Sequence, residues 1–348
     1  MFTGVTCKSR VEKLKEDVRL LLINNNQMVP LAQLDLIDDL QRSGLEYHFE
    51  KEIKEALDAA ISIINRSGRI SGVDDLHSTA LYFRLLRQHG YFVSQDVDVF
   101  SSFMDETGNF MTSLSEDVKG ILGLYEALYL AVEGENIMDK AKAFSTRTLK
   151  DLSKGNMDPY LAEQVARALE VPSHWRVPWS EAKWYSNAYE RREHIKPTLL
   201  ELAKLNFNVV QATHQGELKE IYKWWKNEGL VENLSFARHR LVECFLWAVG
   251  TMFEPQYGCL RKWLTKIINL IILIDDVYDI YGSLDELKQF TDAVDRWDDK
   301  KIEHLPDYMK ICFLALYGTT DEISSGVQKG RNINIITHLK KVVSTLII

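Results

Sequence analysis

The sequence predicts an all-α protein. Almost every periodic stretch repeats its apolar residues at helical spacing, and few stretches alternate in the manner of a β-strand. Helix signals also fall at suitable places: Ser115 followed by two acidic residues predicts one helix start, and Pro197 suits the first position of another. Gly72 and Gly90 would bracket a third helix.

Three prolines and three tryptophans interrupt the helical pattern between Val171 and Pro197. A chain of 348 residues, 46% of them hydrophobic, is long enough for about two domains with substantial cores. The interruption therefore predicts two domains, residues 1–190 and 191–348.

Composition excludes some functions. The net charge of −8 argues against nucleic acid as a partner. The four cysteines lack CxxC spacing, which indicates a reducing compartment and no zinc site. The longest apolar run is too short to span a membrane. No signal or transit peptide is visible in Met1 to Lys15, so we expect a cytoplasmic protein, or a plastid protein if a transit peptide is missing from this start.

An apolar helical segment runs directly into three carboxylates. Only Asn269 interrupts the apolar residues 267–274, so a helix here would be apolar on every face and buried. At 3.6 residues per turn, Asp275 and Asp279 lie one turn apart on one face, whereas Asp276 points about 100° away.

The position of these acids predicts a divalent metal site. If Gly282 ends the helix, the carboxylates lie in its last turns, where the helix dipole disfavours negative charge by about 0.3–1 kcal/mol each. Lys262 and Lys266 lie more than two turns upstream, so a hard cation is the better partner. Mg²⁺ binds one or two carboxylates and leaves positions for substrate phosphate oxygens, with Mn²⁺ as the alternative ion. The competing interpretation is a solvated acidic helix end.

A second group of polar residues lies upstream. Asn233 or Ser235 would cap a helix that begins here. Arg238 and Arg240 fall at its start, and Trp247 lies seven residues beyond Arg240. Arginines at a helix start and carboxylates at a helix end are both unfavourable to the helix dipole. A polyanion bound between these arginines and the metal would account for both placements. Trp247 would lie about 10 Å deeper and stabilise a carbocation once the anion leaves; a core tryptophan is the competing interpretation.

Long stretches of the chain resemble plant terpene synthases. The resemblance runs from near the start to about residue 340. It is carried by Asp35 to Glu55, Ser115 to Glu135, Leu199 to Gln215, Trp224 to Lys226, Phe236 to Arg240, Phe253 to Tyr257, Asp275 to Gly282 and Arg296 to Asp298, in the family's order. The resemblance implies an N-terminal helical barrel without catalytic function, followed by the metal-dependent helical domain of a class I terpenoid synthase.

The resemblance also implies roles for single residues. Asp275 and Asp279 match the family's Mg²⁺ ligands, with Asp276 as a supporting acid in the metal site. Arg238 and Arg240 match the arginines that receive the departing diphosphate. Trp247 matches an aromatic residue of the cavity wall.

The implied activity is that of a carbon–oxygen lyase. A prenyl diphosphate, geranyl or farnesyl diphosphate, would be ionised with Mg²⁺, giving a mono- or sesquiterpene olefin or an acyclic alcohol and free diphosphate. Bulky Ile271 and Ile272 beside the acids favour the shorter geranyl chain, although both residues would also suit simple helix packing. The identity of the product does not follow from the sequence.

The chain also departs from the family. Members usually continue well past the point where this chain stops, and their second metal motif has no match here. We therefore expect an incomplete metal-binding domain with half of the metal site. Residues 342–348 have a strand-like, aggregation-prone composition, which suggests a truncated transcript, an unspliced intron or a gene-model error.

Three functional interpretations stay open. The first is a terpene synthase, a monomer if it folds. The second is a prenyl-chain-elongating transferase, which shares the DDxxD motif but would carry two such motifs and no long preceding helical domain. The third is a non-catalytic truncation product with poor solubility and hydrophobic dye binding. We expect little or no turnover from this chain alone, because an incomplete domain leaves apolar helix faces uncovered.

Overall fold

The structure, a computed structural model, describes residues 4–24, 30–67, 75–93 and 99–347. These residues form fifteen α-helices: α1 Gly4–Asn24, α2 Pro30–Arg42, α3 Glu50–Ser67, α4 Leu76–Gln88, α5 Val118–Ala127, α6 Asn136–Leu152, α7 Pro159–Glu170, α8 Pro178–Tyr189, α9 Pro197–Asn227, α10 Leu230–Asn233, α11 Leu241–Thr251, α12 Gly258–Asp276, α13 Leu284–Arg296, α14 Asp307–Arg331 and α15 Ile336–Ile347. Within these ranges the only β-type pairing is an isolated bridge between Met104 and Phe110. The all-α prediction is confirmed.

In the N-terminal half and at α9, helix starts follow the proline and capping signals, except at Ser115. α9 begins at Pro197, as predicted. α5 begins at Val118, and its N-cap is Asp117, whose carboxylate accepts a hydrogen bond from the Gly120 backbone. The predicted start at Ser115 is wrong because that residue belongs to a preceding 3₁₀ turn. Gly90 follows α4 with a φ of 80°, a conformation that glycine adopts without strain. Gly72, its predicted counterpart, lies outside the described residues.

The chain divides into two compact units, residues 1–208 and 209–348. The division falls within α9. Two of the three prolines that led us to place a boundary at 190/191 instead start helices: Pro178 is the first residue of α8 and Pro197 the first of α9. Proline is well suited to that position because its missing N–H has no partner there in any helix. The third proline, Pro172, precedes a 3₁₀ turn. The domain ranges 1–190 and 191–348 stay a prediction.

The N-terminal unit is built around α4. Leu76 and the nine residues from Ser78 to Leu86 are all buried. The helix is held at its start by the Asp75 side chain, which accepts from the Ser78 backbone at 2.9 Å. α4 packs against α5, and α5 against α6 and α7. The buried apolar residues form one cluster, whose members come from positions between Val11 and Ala203. Burial of each large apolar side chain contributes about 1.5–3 kcal/mol to folding.

In the C-terminal unit α12 packs against α11 and α14. The prediction that residues 267–274 are buried on every face is confirmed only in part, because Leu270, Leu273 and Ile274 are buried but Ile271 is not. Arg261, Thr265 and Asn269, spaced four residues apart, are each 0% exposed, whereas Ile271 is 41% exposed. The Arg261 guanidinium donates to both carboxylate oxygens of Glu217, at 2.8 and 2.7 Å, and to two backbone carbonyls. A buried charge is tolerated when it is paired and hydrogen-bonded, so this polar stripe faces the core whereas Ile271 lies at the surface.

Candidate functional site

Three carboxylates lie at the C-terminal end of α12. Asp275 and Asp276 are its last two residues, and Asp279 lies in the π-helical turn Val277–Tyr281. Gly282 closes this turn by donating its N–H to the carbonyl of the first turn residue at 2.7 Å, so the predicted stop is confirmed. Asp275 and Asp279 are exposed, whereas Asp276 is fully buried. This is the separation that helical geometry requires of the three acids.

Asp276 holds Arg238. The Arg238 backbone N–H donates to Asp276 Oδ2 at 2.7 Å, and the Arg238 Nε and Nη2 each lie 2.7 Å from Oδ1. Nη2 is also 3.6 Å from Asp275 Oδ2. Hydrogen bonding to Asp276 raises the pKa of the Arg238 guanidinium above its usual value. Both oxygens of Asp276 are therefore used within the chain. This differs from its expected place in the metal site: the carboxylate positions Arg238 beside Asp275.

Arg240 makes a local ion pair. Its Nη1 donates to Glu243 Oε1 at 2.9 Å, and both side chains are about half exposed. Arg240 is the N-cap residue of α11 and makes no side-chain capping bond. The prediction that Asn233 or Ser235 caps this helix is wrong. Asn233 ends the short helix α10, with its amide donating to a carbonyl at the start of that turn, and the chain is irregular from Leu234 to Arg240.

Trp247 lies on the outer face of α11. Its side chain is 62% exposed, and the exposed Val242 and Leu246 lie near it on the same helix. The buried face of α11 is formed by other residues, among them Cys244 and Phe245. Trp247 is therefore absent from the wall of the apolar cavity of this unit, which differs from its expected position.

An apolar cavity of about 260 Å³ lies between α12, α14 and α15. Asp275 and Tyr278 lie in its wall, where α12 ends. The rest of the wall is formed mainly by aliphatic side chains: Ile267, Leu270, Ile271, Ile274, Leu316, Ile323, Leu339, Val342 and Val343. Thr319 and Thr320 complete it. The expected combination of a carboxylate and an apolar cavity is present at Asp275.

The α15 side of this cavity was missed from the sequence. The strand-like interpretation of residues 342–348 is wrong, because α15 extends to Ile347; Ile348 lies outside the described residues. Leu339, Val342 and Val343 all line the cavity, and their spacing of three and four residues is the signal of an apolar helix face. Tertiary packing overrides the strand preference of the two valines.

The exposed carboxylates suit a hard cation. Nowhere in the described part of the chain do three or more His, Cys, Asp or Glu side chains form a group that could hold a metal ion. Asp275 and Asp279 are nevertheless both solvent-facing, and Mg²⁺ needs only one or two protein carboxylates when waters and phosphate oxygens supply the other ligands. The donor set therefore fits a metal that is completed by a phosphorylated ligand. The lysines upstream pair elsewhere, Lys262 with Glu220 and Lys266 with Glu322.

Two family profiles match the chain. The profile described as "Terpene synthase, N-terminal domain" matches residues 3–169, and "Terpene synthase family, metal binding domain" matches residues 226–348. The second match contains all six predicted site residues. No helix in the described ranges combines the length and the apolar character needed to cross a membrane.

Characterised relatives agree with these profiles. The chain is 51% identical over 340 residues to "Myrcene synthase, chloroplastic" of Quercus ilex, covering 98% of this chain and 56% of the relative. It is 51% identical over 338 residues to "Alpha-farnesene synthase" of Ricinus communis, covering 96% and 59%. The chain thus spans less than two thirds of the length of these relatives.

A solved structure has the same fold. It is the isoprene synthase from grey poplar leaves (Populus x canescens) in complex with three Mg²⁺ ions and dimethylallyl-S-thiolodiphosphate. It superposes with a TM-score of 0.90 at 48% identity, covering 98% of this chain and 64% of that one. With both family profiles matched and the acid-lined apolar cavity in the metal-binding part, the chain belongs to the terpene synthase family.

Proposed function

We propose that this chain supplies part of the active site of a terpene synthase, a carbon–oxygen lyase that ionises an allylic prenyl diphosphate and releases diphosphate. One observation carries the proposal: Asp275 lies in the wall of an apolar cavity and 3.6 Å from the Arg238 guanidinium. At Asp275 the structure therefore combines a carboxylate for a metal, a nearby guanidinium for an anion and an apolar space for a hydrocarbon chain.

Each part of the site would have a separate task. Asp275 and Asp279 would hold Mg²⁺, or Mn²⁺ in its place, which as a Lewis acid supplies charge stabilisation to a departing diphosphate. The relative crystallised with three Mg²⁺ ions and a thiolodiphosphate supports this assignment. Arg238, positioned by Asp276, and Arg240 would bind diphosphate oxygens as charge develops on them. The aliphatic wall would exclude water from the resulting carbocation. Proton loss then gives an olefin, and capture of water gives an alcohol.

Trp247 is assigned a conditional role. Its exposure of 62% keeps it out of the cavity wall, so it would stabilise a carbocation only if further protein covered the outer face of α11. Aromatic faces bind cations by about 0.5–2 kcal/mol, and more when desolvated.

The cavity volume supports the shorter substrate. A cavity of about 260 Å³ lies below the roughly 300–1,000 Å³ typical of small-molecule sites. We therefore propose geranyl diphosphate over farnesyl diphosphate. The names of two relatives, myrcene synthase and alpha-farnesene synthase, leave both geranyl and farnesyl diphosphate as candidate substrates. We also propose a plastid location, because one relative is named chloroplastic, and a monomeric state in solution.

The second candidate is a chain without turnover. Leu246, Trp247 and Ile280 are 62–70% exposed, and exposed apolar groups of this size mark surfaces that other protein normally covers. A site that is open on this side admits water to any carbocation. We therefore expect ligand binding from this chain with little or no product.

The test separates binding from turnover. Binding of a prenyl thiolodiphosphate to the purified chain is measured by calorimetry with and without Mg²⁺, and volatile products from geranyl and farnesyl diphosphate are analysed in parallel. We expect Mg²⁺-dependent binding that Asp275→Ala weakens at least tenfold. Asp285→Ala, which removes a carboxylate that is 90% exposed on α13, is the matched control. Equal binding by both variants would refute the site, and sustained product formation would refute the second candidate.

A further inference from the structure

The N-terminal unit contains a polar cavity of about 100 Å³ that the proposed function does not use. Its wall is formed by α2, α4, α5, α7 and α8. Three wall atoms are buried without a hydrogen-bond partner in the described part of the chain: Asp39 Oδ2, Gln164 Nε2 and His77 Nδ1. An unpaired buried polar atom is unfavourable, and more so if it is charged, so the protonation state of Asp39 needs a physical explanation.

The neighbouring residue Asp38 shows how this unit stabilises a buried negative charge. Both of its oxygens accept from Arg42 Nε at 2.9 Å, and Oδ1 also accepts from Arg84 Nη2 at 2.5 Å. These two guanidiniums hold the pKa of Asp38 well below its usual value, although burial alone would raise it. Asp38 is therefore ionised in the folded unit.

Asp39 lacks comparable partners. It is 2% exposed. Its Oδ1 accepts from the Tyr185 hydroxyl at 2.7 Å and from Arg192 Nη1 at a longer 3.3 Å. Its Oδ2 has an ion-pair contact only with Lys196 Nζ, at 4.0 Å, which is beyond hydrogen-bond distance. One oxygen of this carboxyl therefore faces the cavity unsatisfied.

Most of the remaining charged groups around Asp39 pair with each other. Besides Asp38 and Arg42, its own helix carries Asp35, which pairs with His77 of α4 at 3.4 Å. From α4 and α5 the cavity receives Arg84, Lys119 and Glu126, and Glu126 pairs with Arg42. α7 and α8 contribute the uncharged phenols Tyr160 and Tyr185. The Arg192 guanidinium reaches Asp39 through Oδ1, at 3.3 Å, and in the described part of the chain no donor lies within hydrogen-bond distance of Oδ2.

We propose that this cavity is a proton-binding site: Asp39 takes up a proton when the N-terminal unit folds, and the stability of the unit therefore depends on pH. Burial, the largest cause, raises the pKa of Asp39 from 3.8 to about 6. Because the folded-state pKa lies above the unfolded one, the stabilisation is fully present below the unfolded pKa and is lost as the pH rises through about 6. Across the whole range the folding equilibrium constant falls up to about a hundred-fold.

The test uses Asp39→Asn in the full chain. Asparagine keeps the shape and the acceptor for Tyr185 but carries no charge at any pH. Urea unfolding is followed from pH 4.5 to 8, and the ratio of variant to wild-type folding constants is taken at each pH, which cancels the titration of other groups. We expect this ratio to rise about tenfold or more across the range. A ratio that is constant or falls with pH would overturn the proposal.

Asp38→Asn is the matched control, since it makes the same change one residue away. It leaves two buried guanidiniums without their shared carboxylate, so we expect a variant less stable than the wild type near neutral pH. If Asp39→Asn does not fold, carbon-13 NMR of aspartate carboxyls in the wild-type chain gives the answer directly. We expect a buried carboxyl that titrates near pH 6 and whose midpoint rises in Tyr185→Phe. The absence of any aspartate that titrates above pH 5 would overturn the proposal.

Discussion

The two compact units treat their large apolar side chains differently. In the N-terminal unit Phe49, Phe83 and Phe100 are at most 2% exposed, and the exposed aromatics Phe92 and Trp175 lie in connecting segments. In the C-terminal unit the exposed apolar residues lie on the helices that form the candidate site, among them Val242 and Leu246 on one face of α11 and the neighbouring Trp247. The candidate site therefore belongs to the unit that exposes apolar residues on the helices around it.

The largest effect is expected from Arg42→Ala in the N-terminal unit. Arg42 donates to Asp38 and Glu126, and all three side chains are at least four-fifths buried. Removing the cation leaves Asp38 with only Arg84 and removes the hydrogen-bonded partner of buried Glu126, so we expect a loss of about 3–5 kcal/mol in the free energy of unfolding, measured with urea. Arg240→Ala is the control, because its exposed pair with Glu243 is worth about 0–1 kcal/mol. Equal losses would contradict the difference between the units.

Phe83→Ala should be nearly as damaging. Phe83 is 0% exposed, with its ring 5.4 Å from that of Phe100 and under the Arg87 guanidinium at 4.1 Å. The cavity left behind costs about 3–5 kcal/mol. Trp247→Ala removes a larger ring that is 62% exposed, and we expect a change within about 0.5 kcal/mol. Thermal unfolding compares the two variants, and a large loss from Trp247→Ala would mean that the outer face of α11 is covered in solution.

Two adjacent acids of the C-terminal unit should separate folding from ligand binding. Asp276→Ala removes the acceptor of one backbone and two guanidinium contacts from Arg238, so we expect a loss of about 1.5–3 kcal/mol in stability. Asp275→Ala removes an exposed carboxylate and should change stability by less than about 0.5 kcal/mol while it weakens Mg²⁺-dependent diphosphate binding. Denaturant unfolding and calorimetry on both variants measure the two effects. If Asp276→Ala instead weakens Mg²⁺-dependent binding without a loss of stability, Asp276 belongs to the metal site.

The smallest change in stability is expected from Leu246→Gln. Leu246 is 63% exposed on α11, so the polar replacement should leave the free energy of unfolding within about 0.5 kcal/mol. It should nevertheless reduce binding of a hydrophobic dye and raise solubility, because it interrupts an apolar surface. Dye fluorescence at equal protein concentration measures this. The matched change Val132→Gln, at a residue 60% exposed in a loop of the N-terminal unit, should reduce dye binding less.

Parts of the fold followed directly from local chemistry. Helical periodicity was sufficient for the all-α class, and Pro197 marks a helix start through its fixed φ and missing N–H. Gly282 ends the π-helical turn at a position where a Cβ atom would lie 2.6 Å from Leu287 Cδ2 and 2.9 Å from the Val277 carbonyl oxygen. The starts near Ser115 and Asn233 were misplaced, because short 3₁₀ and α-helical turns precede the true helices there. Capping residues suit such turns as well as helix starts, so the local signal does not distinguish them.

The candidate site was predicted only where it depends on local spacing. The spacing of Asp275, Asp276 and Asp279 required one acid to point away from the other two, and Asp276 is the buried one. Its bond to Arg238 joins residues 38 positions apart in the chain, which spacing rules cannot reach. The same applies to Val342 and Val343, whose strand-like composition concealed a helix that lines the cavity.

Sequence alone determined the class of fold, the family and the acids next to an apolar segment, because these depend on residue types at short, regular intervals. Tertiary structure decided which partner each charge received. Arg261 is buried because Glu217 lies opposite it, and Asp38 is ionised because two guanidiniums converge on it. The energy of a buried charge depends on the nearest opposite charge and on access to water, and both are set by chain segments that meet only after folding.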